Sequence, residues 1–199
     1  MALKAGIIGM PNVGKSTLFN AITKKNILAA NYPFATIDPN LGTVTVPDER
    51  LGVLERMYMP ERCIGAQYEF TDIAGLVKGA SSGEGLGNKF LSHIREVDAV
   101  IHVVRCFVDK DIIHVEGNID PIRDIEIINL ELAMSDLEIV SNRIDRIKKK
   151  AETSRDKEAL KEVELMEKCK SILSGGEVLR HHEFEEDELE RLKPFNLIT

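Results

Sequence analysis

AGIIGMPNVGKSTLFNAITK, residues 5–24, runs an apolar segment, a glycine-bounded loop and an amphipathic segment in direct succession. The spacing predicts a strand over Ala5 to Gly9 and a helix over Ser16 to Lys24 with Leu18, Phe19 and Ile22 on one face. Between them Gly9-Met10-Pro11-Asn12-Val13-Gly14-Lys15-Ser16 matches G-x-x-x-x-G-K-[ST], the pattern of a loop that cradles phosphates. Backbone N–H groups at a helix start offer donors aligned with the helix dipole, and glycines let the backbone approach an anion closely. Lys15 is expected to set a point charge between the outer phosphates, and the Ser16 hydroxyl to ligate magnesium, a cation that prefers oxygen. A nucleoside triphosphate with Mg2+ is the expected occupant, held by Gly9, Asn12, Val13, Gly14, Lys15, Ser16 and Thr17.

Outward from this loop, Asn26 to Leu41 is rich in turn formers and contains Pro33 and Pro39, which disfavour helix just before them. Thr36 in this loop is the residue most able to reach the metal when triphosphate is bound, or else a plain surface threonine. Strands are predicted at Thr43 to Val46, Tyr68 to Phe70 and Ala99 to Val104, with helices over Asp48 to about Met57 and Asn88 to Val97. Asp72 to Gly87 has five glycines in sixteen residues and reads as a loop. It opens with Asp72-Ile73-Ala74-Gly75, which offers a carboxylate to support magnesium and, in Gly75, an N–H for the terminal phosphate. Strands alternating with helices imply a doubly wound α/β sheet.

From Leu130 the period changes. Leu130, Ala133, Leu137, Val140, Ile144, Ile147 and Ala151 alternate steps of three and four, a coiled-coil seam. Polar Glu152 to Lys157 breaks it, and Ala159, Val163, Met166 and Leu173 resume it until Gly175-Gly176 stops the helix. An antiparallel helical hairpin is the economical reading, against two amphipathic helices laid on the main domain. The expected division is a nucleotide-binding domain over 1–129, a helical insert over 130–176, and a return toward the nucleotide domain over 177–199.

The chain has 199 residues, 33 acidic against 26 basic, and a formal net charge of −7. No sequence-wide attraction to nucleic acid or anionic membrane follows, so any RNA contact needs a local basic patch. Cys63, Cys106 and Cys169 form no C-x-x-C pair, which suggests neither a disulfide framework nor a zinc site. No apolar run approaches the roughly 18 residues of a membrane span, and MALKAGIIGM lacks the apolar core of a signal peptide. A cytoplasmic protein is expected.

GMPNVGKSTLFNA, ANYPFATIDPN, DIAGLVKGASSGEGLGNKFL and HVVRCF, in that order, closely resemble the YchF family of Obg-related P-loop GTPases and ATPases. The resemblance implies a Ras-like nucleotide domain with a coiled-coil insert, which the hairpin fits, and a following TGS domain that this sequence does not contain. It implies hydrolysis of the terminal phosphate in a translation-associated molecular switch. Related enzymes carry a water-orienting glutamine where this chain has Leu76, and leucine cannot hold a water, so slow intrinsic hydrolysis is implied. Asn12 matches an asparagine that helps hold K+ beside the phosphates in potassium-stimulated relatives; alternatively it only shapes the loop. The family's Asn-x-x-Glu base-reading motif, associated with a preference for ATP over GTP, is expected beyond Thr199.

A second function class is a nucleotide-dependent ribosome- or RNA-binding module with incidental hydrolysis, for which Arg143, Arg146 and Lys148 to Lys150 supply a basic cluster. Glu152, Glu158, Glu162 and Glu164 nearby favour a solvated face instead. A P-loop kinase acting on a metabolite is disfavoured by the family resemblance. Among the histidines, His102 reads as a strand residue, and His181 and His182 as part of a polar connector. His114 follows a strand and loop on Ile112-Ile113-His114-Val115. It approaches the nucleotide as a catalytic group if that segment folds back, or is a satisfied structural histidine.

Overall fold

The computed structural model describes residues 3–24, 40–73, 91–154 and 156–199. Thr36, Gly75 and Leu76, with most of the two loops that carry them, lie outside the described residues. The chain divides into two compact units, Met1–Leu76 with Glu96–Ile119, and Val77–Arg95 with Asp120–Thr199.

The first unit is a four-stranded sheet in the order β2-β3-β1-β4, formed by β1 (Leu3–Ile8), β2 (Asn40–Thr45), β3 (Gln67–Asp72) and β4 (Ala99–His102). Parallel pairing places β1 between β3 and β4, and Ala5, Ile7 and Ile8 of β1 are buried. A strand covered on both faces reads as a continuous apolar run, which is why β1 was legible. β2 runs antiparallel on the edge, a common addition to an otherwise parallel sheet, and begins three residues before the predicted start. α1 (Lys15–Thr23) follows the phosphate loop, with Phe19 fully buried. α2 (Glu49–Tyr58) is capped by Asp48, whose side chain accepts from the Arg50 N–H at 3.0 Å. β4 stops at His102, two residues short of the predicted end.

The second unit is helical. Residues 91–94 are helical (α3), and α4 (Pro121–Ser154), α5 (Lys157–Ser174) and α6 (Glu186–Leu192) follow. Proline at the first position of α4 costs no intrahelical bond and presets φ, so the helix begins nine residues ahead of the heptad run. The break between α4 and α5 narrows to two residues because Asp156 caps α5 at once, accepting from the Glu158 N–H at 3.0 Å. Ala133, Val140 and Ile144 pack with Leu165, Met166, Cys169 and Leu173 in a closed core. Leu130, the first predicted seam position, is 44% exposed, so the seam starts one step later. Phe184, Leu192, Phe195 and Leu197 cover this core from the C-terminal stretch. Burial pushes the Cys169 thiol up to about 11.

Asp136 on α4 is the polar centre of this unit. Fully buried, its carboxylate accepts from Arg95 at 3.1 Å, from the N–H groups of Ile198 and Thr199 at 2.8 and 2.9 Å, and from the Thr199 hydroxyl at 2.8 Å. Arg95 also donates to the Asn196 carbonyl at 3.0 Å and to the Ser135 hydroxyl. Removing the carboxylate takes the ion-pair partner from the half-buried Arg95 guanidinium and strands two backbone donors. Asp136→Ala is expected to lower unfolding stability by about 3 kcal/mol. Chemical denaturation checks this, with Asp136→Asn expected to lose less because it retains one acceptor oxygen.

Candidate phosphate-binding site

Parallel register puts the C-terminal ends of three strands together: Ile7 pairs with Asp72, and Ile8 with His102. The loop from Gly9 to Gly14 leaves the sheet at that edge. Gly9 has φ 149°, and a Cβ there would lie 2.3 Å from the Val103 carbonyl oxygen, so the tight exit tolerates no side chain. Met10 and Val13 are buried and pin the loop to the domain, while Asn12 takes φ 60° and Gly14 φ 103°. Lys15 and Ser16 open α1, and Thr17 is exposed on its first turn.

Lys15 is 7% exposed and donates from Nζ to the Met10 carbonyl at 2.8 Å. Burial lowers its pKa from 10.5 to about 8, and the nearby Asp72 charge opposes that shift. Ser16 Oγ donates to Asp72 Oδ2 at 2.7 Å, joining residues 56 positions apart in sequence. Burial raises the Asp72 pKa, and the Ser16 hydrogen bond and the Lys15 charge counter it. The structure therefore brings Lys15, Ser16 and Asp72 together as one polar cluster at the loop.

No group of three or more His, Cys, Asp or Glu able to hold a metal occurs among the described residues. That does not conflict with magnesium, which keeps several waters and takes oxygen from hydroxyl, carboxylate and phosphate groups. A hydroxyl bonded to a carboxylate, as in Ser16 and Asp72, is a donor set that fits it.

The segment around residue 113 does fold back. Asn12 Nδ2 donates to the Ile113 carbonyl at 3.1 Å, so the loop after β4 touches the phosphate loop. His114 is buried, and its Nδ1 accepts from the Glu116 N–H at 3.2 Å, which makes Nε2 the nitrogen that can donate. Sequence reasoning missed two participants. The Met10 carbonyl has no sequence signature as a lysine acceptor. Arg105, 1% exposed, lies within the HVVRCF stretch; its position after an apolar run that closes a strand is the available signal.

On the hairpin, Arg143 pairs with Glu162 at 2.7 Å and Lys148 with Glu167 at 3.0 Å. Arg146 and Lys149 are exposed and have no carboxylate partner among the described residues, and the Lys150 side chain lies outside what is described.

A buried, loop-bonded lysine has a cost that shows in the nucleotide-free protein. Its folded pKa lies below its unfolded value, so between about pH 8 and 10.5 the unfolded chain binds more protons and stability rises with pH. Lys15→Met is expected to stabilise the nucleotide-free protein by about 2 kcal/mol near pH 7, an advantage that shrinks as pH approaches 10. Denaturation of both proteins across that pH series checks it.

Comparison with known proteins agrees with this geometry. The family model described as 50S ribosome-binding GTPase matches residues 4–168. The chain is 55% identical over 199 residues to the ribosome-binding ATPase YchF of Bacillus subtilis (strain 168), covering 100% of this chain and 54% of that protein. It is 50% identical over 197 residues to Obg-like ATPase 1 of Oryza sativa subsp. indica, covering 99% and 50% respectively. The solved structure of the Schizosaccharomyces pombe YchF GTPase superposes with a TM-score of 0.75 at 46% identity, over 98% of this chain and 53% of that one. The chain spans about half the length of the curated relatives it matches. No helix among the described residues is long and apolar enough to cross a membrane. Because the family match begins within β1, takes in the whole phosphate loop and continues into α5, the chain belongs to the 50S ribosome-binding GTPase family, in its YchF branch.

Proposed function

We propose that this chain binds a purine nucleoside triphosphate with magnesium and hydrolyses the terminal phosphate, ATP in preference to GTP, as part of a cytoplasmic, ribosome-associated molecular switch. The observation that carries the reading is the Ser16–Asp72 hydrogen bond, which joins the phosphate loop to the strand end where the second motif begins. Ser16 and Asp72 would hold magnesium, with Thr36 joining them, and the metal supplies neutralisation of phosphate charge. Lys15 exchanges the Met10 carbonyl for the outer phosphates, and the Gly75 N–H contacts the terminal phosphate. Leu76 leaves the attacking water without a side-chain partner, so intrinsic turnover is slow. The preference for ATP is supported by relatives named as ATPases, although a fungal relative is named a GTPase. The Asn12 carboxamide would help hold K+, and His114, next in sequence to the Ile113 carbonyl that accepts from Asn12, would assist the water. The proposed domain division is 1–129, 130–176 and 177–199, and α4, which starts at Pro121, crosses the first of these boundaries.

The ribosome is the proposed partner, in line with the names of the bacterial relatives. For RNA contact the hairpin offers fewer available charges than its sequence suggests, because Arg143 and Lys148 are engaged by Glu162 and Glu167.

Lys15→Ala is expected to weaken triphosphate binding by more than about 2 kcal/mol, measured by isothermal titration. Ser16→Ala should weaken it only when magnesium is present; equal loss without the metal removes the ligand assignment. On the hairpin, Arg146→Ala with Lys149→Ala should lower the salt slope of ribosome association by about two units if both contact phosphate, since each lost contact removes about one. An unchanged slope in pelleting assays makes this a solvated face.

A further inference from the structure

Arg105 carries a buried charge that no carboxylate among the described residues answers. Its guanidinium donates instead to three main-chain carbonyls of the loop that follows β4: Phe107 at 3.1 Å from Nε, Ile112 at 3.0 Å from Nη1, and Asp109 at 3.0 Å from Nη2. The same guanidinium lies 4.8 Å from the centre of the Phe107 ring. Burying an arginine without a counter-ion is costly unless its fixed fork of donors is met by acceptors. A surface turn needs no such device, and this one is already tightened locally by Asp109 Oδ1 accepting from the Asp111 N–H at 2.9 Å. The fork therefore does something beyond closing a turn: it sets where the chain leaves the loop. It leaves at Ile112, and the next carbonyl, Ile113, is the one that receives the Asn12 amide of the phosphate loop at 3.1 Å.

We propose that Arg105 is a positioning residue for the phosphate site, holding the loop over residues 106–113 so that the Ile113 carbonyl fixes Asn12 in its left-handed conformation. Asn12 has φ 60°, a left-handed conformation that asparagine tolerates better than most residues, and the Ile113 contact anchors its side chain there. The chain of contacts is continuous: guanidinium, Ile112 carbonyl, Ile113 carbonyl, Asn12 side chain, phosphate-loop backbone. Lysine in place of Arg105 keeps the charge but presents a point donor that cannot meet three divergent carbonyls. The inference rests on the hydrolase reading above for its rate readout, and on the contacts alone for its structural readout.

The test uses the full-length protein and the variants Arg105→Lys, Asn12→Ala and the double variant. A misplacement of about 1 Å in a positioning contact costs up to about a hundredfold in rate. Arg105→Lys is expected to lower kcat ten- to a hundredfold while KM shifts less than threefold. The double variant should be no slower than the worse single one, because both break the same linkage. Multiplicative losses, or a folded Arg105→Lys protein with parental kcat, overturn the proposal. A parent protein that releases no phosphate defeats the hydrolase reading instead. The linkage is then decided by amide hydrogen exchange: faster exchange over residues 112–116 in both single variants supports it, and parental protection in either overturns it.

Discussion

A hydrogen bond between a serine at the start of a helix and an aspartate at the end of a strand organises this molecule. It forms because β1 and β3 are parallel and in register, so that the loop leaving β1 and the carboxylate ending β3 emerge at the same edge. A shift of one residue would turn the Asp72 side chain to the opposite face of the sheet and away from Ser16. The register is held by the burial of Ala5, Ile7 and Ile8, so the hydrophobic effect sets the geometry of a polar site.

Two buried cations sit at the same end of this unit and are treated differently. Lys15 has one carbonyl and a neighbouring carboxylate, and burial lowers its pKa more than the Asp72 charge raises it. A side chain in that condition gains from an arriving polyanion. Arg105 has each of its three nitrogens donating to a main-chain carbonyl of its own loop. One cation is held ready to change partners, and the other is used as a fastening.

The regular parts of the fold were legible because they follow from local periodicity. β1, α1 and the hairpin helices all declare themselves in spacing, and the phosphate loop declares itself in the identity of its residues. The antiparallel direction of β2 was not legible, since alternation of strands and helices says nothing of an edge strand's sense. Nor was Asp136, which reads as one more polar residue on a long helix until Arg95 and the 198–199 backbone converge on it. The Asn12–Ile113 contact spans 101 positions, and its acceptor is a carbonyl that every residue possesses. The site was readable where it depends on side-chain identity, and hidden where it depends on main-chain groups brought together by tertiary folding.

The hairpin core contains a thiol with a particular chemical fate. Cys169 is fully buried among Ala133, Val140 and Met166, and its proton is held to about pH 11. Only the thiolate attacks electrophiles, so this sulfur is inert while the two helices stay together. Cys63 and Cys106 are free thiols exposed on the folded protein. A thiol reagent would therefore meet Cys63 and Cys106 on the surface, and would meet Cys169 only through opening of the hairpin core.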